Sequence, residues 1–255
     1  MEESLLHSTL LRPLKISSQE TIEHLSSDLF AVVEYDMATV NSAAISSERW
    51  CEVMLLLSNS KACEAKSDKV NDTLNVIISS SKTADSSGAT PTEFKLRVQS
   101  ATQDYLDAAL VANTGPMGTR NISLRLQAIP LTGTRSFVHL HYAYDTQWLG
   151  RMAMQTYLQT MGRGKVGFTS VNGENVRATY IDGARSVIER NTMRYFLGFD
   201  CALAFNIQPT SQRFSSMAQC WYEQVEKYPV QWHEMQRTEY LHMKADEYRH
   251  QEKNP

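Results

Sequence analysis

The chain has 255 residues, with 25 basic and 28 acidic side chains and a formal net charge of −3, which excludes the strong basic footprint of a general nucleic-acid binder. Apolar residues at 42% and charged residues at 21% exclude wholesale disorder, and 11 glycines exclude a collagenous chain. Apolar runs fall well short of the ~20 residues of a membrane-spanning helix, so a soluble globular protein with a sizeable core is expected.

The N-terminus starts acidic, and His7, Ser8 and Arg12 interrupt its apolar residues. It lacks the basic start and unbroken apolar stretch of a secretory signal. The chain is therefore expected in the cytoplasm, or in the periplasm if a leader was removed. Residues 1–27 hold no sustained period and are expected to form a loosely packed arm. From Asp28 the pattern alternates, with Leu29, Ala31, Val33 and Tyr35 on one face of a strand. Asp36 then stands where a helix N-cap belongs, and Ser46 and Ser47 restart the pattern, so two short helices follow in tandem.

Six strands are expected next. They fall at 61–66, 73–79, 94–98, 104–112, 119–129 and 136–144, joined by turns such as Asn113-Thr114-Gly115-Pro116-Met117-Gly118 and Leu131-Thr132-Gly133-Thr134. A serine-rich stretch at 79–91 reads as a flexible loop. The period then becomes helical, with Leu149, Ala153, Met154, Tyr157, Leu158 and Met161 in one stripe that ends at Gly162 and Gly164. Further helices are expected at about 184–205, 210–228 and 231–250, the last two separated by Pro229.

Short turns make sequential strands antiparallel neighbours, and their one apolar face needs a cover. The helix beginning near Trp148 is the natural one. A strand, two short helices, a six-strand meander and a long helix together resemble the helix-grip fold of the START-like superfamily, which holds lipid-transfer domains and polyketide cyclases. The stretches Trp50-Cys51, 162–169 and 187–195 look like those of an uncharacterised bacterial branch of it. The resemblance implies an α+β protein, a curved antiparallel sheet of about seven strands around a long helix. On this division residues 1–27 are the arm, 28–168 the grip domain and 169–255 an added C-terminal helical layer. It also implies a hollow for a hydrophobic or amphipathic, lipid-like small molecule.

Candidate residues follow from that hollow. Tyr142, Tyr144 and Tyr157 offer hydroxyls to a ligand, the alternative being satisfied core positions. Arg163 and Lys165 lie in a Gly-Arg-Gly-Lys loop, and Arg190 and Arg194 sit four apart on one helix, so the four form a candidate anion clamp. The alternative is an ion-pair network through Asp182, Glu189 or Asp200. His139 and His141 share one strand face but lack a third ligand nearby in sequence, so they are expected to face solvent and no metal site is assigned. His233, Glu234 and His242 lack the HExxH spacing. Cys51 and Cys63 are a candidate disulfide or two buried thiols, and a bridge would point to an oxidising compartment. No CxxC, nucleophile elbow or cofactor motif occurs, so neither a catalytic residue nor a cofactor is assigned.

The expected function is binding of the small molecule without catalysis. Two alternatives stand beside it, a cyclase- or hydrolase-type enzyme in the same cavity and an interaction protein using the C-terminal helices. A homodimer is left open, and neither a nucleic-acid partner nor a transmembrane segment is expected.

Overall fold

A computed structural model of the protein describes residues 8, 10–67, 72–79, 89–160, 162–171 and 179–253. Strands β1 (Leu14–Glu20) and β2 (His24–Val33) open the chain, followed by helices α1 (Met37–Ala44) and α2 (Ser47–Leu56). Then come β3 (Ser60–Ser67), β4 (Asp72–Ile78), β5 (Thr90–Ala101), β6 (Leu106–Thr114), β7 (Thr119–Thr132) and β8 (Arg135–Thr146). Helices α3 (Trp148–Gln159), α4 (Gly183–Ala204), α5 (Thr210–Val225), α6 (Pro229–Trp232) and α7 (Arg237–Lys253) complete it. Met161 and most of the serine-rich loop lie outside the described residues.

The strands form one eight-stranded sheet in the order β1-β2-β8-β7-β6-β5-β4-β3, antiparallel at every step. This is the expected α+β helix-grip architecture with one strand more. The register puts apolar positions together on a single face. Ile16 lies opposite Leu29, Leu29 opposite Leu140, Leu140 opposite Leu126, and Leu110 opposite Leu124. All of these side chains are buried. A one-residue slip would turn the whole set to solvent, so the alternation itself specifies the register.

The predicted cap at Asp36 forms, and Ser46 caps the second helix. Asp36 accepts a hydrogen bond from the Thr39 amide at 2.8 Å and Ser46 one from the Arg49 amide at 3.2 Å, satisfying donors that a helix N-terminus leaves open. Trp50 on α2 is fully buried, donates to the Ala44 carbonyl at 2.8 Å and stacks on Phe199 of α4 with centroids 5.3 Å apart. Burial of a side chain this size stabilises the fold by roughly 2–3 kcal/mol.

Residues 14–20 are part of the sheet, contrary to the expected arm. Leu14, Ile16 and Ser18 alternate inward, but two aliphatic residues and a serine make a weak strand signal. The segment before β1 is also tied down. Arg12 pairs with Asp200 at 2.9 Å and lies over the Phe196 ring, and the Tyr228 hydroxyl donates to the Leu10 carbonyl at 2.6 Å. The boundary expected at residue 28 therefore falls inside β2.

The cover of the sheet differs from expectation as well. Helix α3 follows β8 and stands near the end of the sheet, with Met154, Tyr157 and Leu158 half-buried and Gln155, Thr156 and Gln159 exposed. The 22-residue α4 lies along β1, β2 and β8. It is buried on nearly all sides, including Ile188, Phe196 and Phe199, as a helix between a sheet and further helices must be. Helices α2 and α5 pack on its other side, and a disulfide between Cys201 and Cys220 joins α4 to α5.

Two buried charges fix this arrangement. Glu189 on α4, fully buried, accepts from the Phe168 amide at 2.7 Å, the Thr169 amide at 2.9 Å and the hydroxyls of Thr169 and Ser18 at 2.6 and 2.8 Å. Lys244 on α7, also fully buried, donates to the carbonyls of Leu57 and Ser60 at 2.6 and 3.0 Å and to Glu247 at 2.7 Å. Burial pushes the Lys244 amine from 10.5 down to about 8, with Glu247 pulling the other way.

Below that value both folded and unfolded states hold the proton. Above it the folded state has released a proton that the unfolded state keeps, so stability rises with pH. Burial moves the hydroxyls of Tyr142, Tyr144 and Tyr240 upward, so above the ordinary tyrosine value the folded state keeps protons that the unfolded state loses, and stability falls. Urea melts are expected to show a midpoint that climbs from pH 8 to about 9.5 and drops beyond about 10.5. A midpoint that declines steadily from pH 8, or its climb persisting in Lys244→Met, would contradict this assignment.

Candidate functional site

A cleft of about 760 Å³ lies around the edge strand β3. Its walls come from α2, β3, β4, α5 and α7. Leu55, Ala62, Ala65 and Ile77 supply the apolar part, and Cys51 and Cys63, joined in a disulfide, stand beside them. A bare sheet edge invites pairing with another chain. Here α7 shields it, with the Cys63 amide donating to Gln251 at 2.9 Å and Lys61 pairing with Glu247 at 3.0 Å.

A charged group closes one side of the cleft. Arg213 on α5 grips the Glu52 carboxylate through Nε at 3.0 Å and Nη2 at 2.8 Å, and Arg49 adds a bond at 3.1 Å. Burial pushes the Glu52 carboxyl up to about 7, and the charge of Arg49 opposes it. The two guanidiniums, Arg213 and Arg49, hold the group in place against that burial. Glu48, Glu64 and His250 also line the cleft. A second, smaller cavity of about 220 Å³ lies among the β1–β2 turn, Met154 and Leu158 of α3, and Ala184 of α4.

The predicted ligand-binding residues do not converge on the large cleft. Tyr142 and Tyr144 are buried with ring centroids 5.6 Å apart, and Tyr142 meets Tyr195 edge-on at 5.2 Å. They pack between the sheet and α4, whereas the expected hollow lay between the sheet and the helix beginning near Trp148. Burial raises both hydroxyls well above the usual range and that of Tyr195 to about 12. Tyr157 is half-buried on α3, next to Arg190.

The four cations of the expected clamp also part company. Arg163 is exposed, Lys165 donates to the His233 carbonyl at 2.8 Å, and Arg194 pairs with Glu234 at 2.8 Å near the Trp232 ring. Arg190 is buried and donates through Nε to the Ser186 carbonyl at 3.2 Å. Ion pairs dock α4 through Asp200, one of the acids the alternative named, and through Glu234, which it did not name, while Glu189 serves uncharged donors.

One cluster was missed. On the outer face of the sheet the β2–β8 register sets Asp28 opposite His141. Asp28 Oδ1 lies 2.7 Å from His139 Nε2 and 2.8 Å from His141 Nδ1. The bonds from His139 and His141 hold the Asp28 carboxyl far below the usual carboxylate range. The His-x-His spacing was the available signal; its third member lies 111 residues from His139 and is set by strand pairing.

The strand order and helical cover define an α+β helix-grip architecture with an added edge strand and a helical C-terminal layer. No protein-family model and no curated protein matches this chain. Solved structures similar to it include a protein from Arthrobacter aurescens, at TM-score 0.41 and 11% identity over 76% of this chain and 92% of that one. Human StAR-related lipid transfer protein 5 aligns at TM-score 0.35 and 10% identity over 62% and 83% of the two chains. The Zhui aromatase/cyclase from Streptomyces sp. R1128 aligns at 0.36 and 7% over 83% and 96%. Among the described residues, no helix is long and apolar enough to cross a membrane.

Proposed function

We propose that the protein binds an amphipathic small molecule, without catalysis, in the cleft around β3. The observation that carries this reading is the cleft itself, about 760 Å³ with an apolar wall of Leu55, Ala62, Ala65 and Ile77. That volume lies within the ~300–1,000 Å³ typical of small-molecule sites. The apolar body of the ligand rests on that wall, and its polar end meets the ionic mouth. Carboxylates of Glu48, Glu52, Glu64 and Glu247 outnumber the cations Lys61 and Arg213 there, and both cations already hold carboxylates. A neutral or cationic polar end therefore suits the mouth better than an anionic one. The two disulfides fit a protein that folds in an oxidising compartment.

Titratable groups in the cleft, above all Glu52, keep an enzyme of the cyclase or hydrolase kind as the second reading. The interaction-protein reading loses support because α5 and α7 bury Trp221, Tyr240 and Lys244 within the same chain.

Titration with the neutral fluorophore Nile red tests the binding reading. Saturable binding is expected, weakened about tenfold or more, some 1.4 kcal/mol, by Ala65→Trp, which fills the cleft. Equal binding by both proteins, or no binding by the native chain together with no co-purifying apolar molecule in native mass spectra, would overturn it.

A further inference from the structure

We propose that Asp28, His139 and His141 form a binding site for a divalent transition-metal ion, with zinc as its first candidate, on the outer face of the sheet. Their ligand atoms all lie within 4.8 Å of one another. The side chains are 24% to 33% exposed, so solvent reaches the cluster and water completes the coordination. Two imidazoles and one carboxylate are a common ligand set for zinc and for other first-row divalent ions.

The surrounding hydrogen bonds decide which atom of His139 is offered. The Tyr105 hydroxyl donates to Asp107 and so accepts from the Gln127 side-chain amide. That orientation turns Gln127 Oε1 toward His139 Nδ1, 3.2 Å away. Nδ1 therefore carries a proton, and Nε2 faces Asp28 Oδ1. Phe30 stacks on the His139 ring at 4.4 Å and holds its plane. A hydrogen-bonded partner on the distal nitrogen is the usual support of a metal-binding histidine.

Without a cation, one carboxylate oxygen serves both rings, at 2.7 and 2.8 Å. With a cation, His139 Nε2, His141 Nδ1 and Asp28 Oδ1 all point lone pairs at the same ion. Bonds of about 2.0–2.1 Å in tetrahedral geometry separate ligand atoms by roughly 3.3 Å. Asp28 Oδ1 needs to move about half an ångström further from each histidine nitrogen than its present 2.7 and 2.8 Å, which partly exposed side-chain torsions accommodate. The nearest cation across the strands, Arg125, lies opposite His141 and is held by Asp107 through Nε at 2.7 Å and by its Nη2.

The test uses the full chain, stripped of metal with a chelator and titrated with zinc by calorimetry and with cobalt by visible absorption. One equivalent is expected to bind, and cobalt is expected to give a ligand-field band. His139→Ala and His141→Ala are expected to abolish that band. Gln127→Ala, which removes the support of His139 and leaves the three ligands in place, is expected to weaken zinc binding about tenfold. Because the side chains lie on a partly exposed face, circular dichroism of each variant is expected to match the native protein. If a variant fails to fold, Asp28→Asn, which keeps shape and hydrogen bonding but removes the anionic ligand, carries the test. Absence of zinc binding by the native chain overturns the proposal. Zinc and cobalt binding unchanged in the histidine and Asp28→Asn variants, which would place the metal elsewhere, also overturns it.

Discussion

Reduction of both disulfides is expected to lower the free energy of unfolding by about 6 kcal/mol, roughly 3 kcal/mol for each bridge. Cys51–Cys63 closes a loop across a sequence separation of 12 residues and Cys201–Cys220 one of 19, and cross-links of that span remove comparable entropy from the unfolded chain. The loss is a large part of the 5–15 kcal/mol that keeps an ordinary domain folded. The two bridges also act at different places. Cys201–Cys220 ties the helix along the sheet to the layer outside it, whereas Cys51–Cys63 ties α2 to the edge strand and stands in the wall of the cleft. The Cys51→Ser/Cys63→Ser pair is therefore expected to lose both stability and Nile red binding, and the Cys201→Ser/Cys220→Ser pair mainly stability. Urea melts with and without a phosphine reductant measure the first effect. Coincident midpoints would show that the bridges contribute nothing.

Glu189→Ala is expected to destabilise the fold by about 4 kcal/mol. The carboxylate is fully buried and is the common acceptor for two backbone amides and two hydroxyls, from Ser18, Phe168 and Thr169. Truncation leaves buried donors without an acceptor, each costing about 1–3 kcal/mol less any relief from entering water. Glu189→Gln keeps the shape but turns a donor toward donors, so about half that loss is expected. Both variants should loosen the segment after α3 and the β1 edge together, because one side chain holds both. Urea melts give the magnitude, and hydrogen exchange at the Phe168 and Thr169 amides gives the location. Unchanged protection of those amides in Glu189→Ala would show that the carboxylate does not hold them.

The cleft and the metal cluster were unequally legible. His139 and His141 stand out because a strand repeats every second residue and puts both on one face. Asp28 carries no local mark and becomes their partner through the register of β2 on β8. The cleft assembles from α2, β3, β4, α5 and α7, and no period in the sequence reports how far apart separate elements stand. The tyrosines mislead for a related reason. Alternation identifies Tyr142 and Tyr144 as inward-facing but leaves open whether inward means a cavity wall or packed core, which Tyr195 on α4 decides.

What the sequence by itself determined is therefore local. The helix caps at Asp36 and Ser46, the alternation of each meander strand and the succession of elements depend on neighbours within a few residues, and side-chain period and capping chemistry encode them directly. The tertiary structure alone decided what depends on partners. It joined Cys201 to Cys220, placed α4 along the sheet with Glu189 and Lys244 satisfied in the interior, brought Asp28 to two histidines and opened the cleft beside β3. An amphipathic pattern states that a face must be buried; which surface buries it follows from packing the whole chain at once.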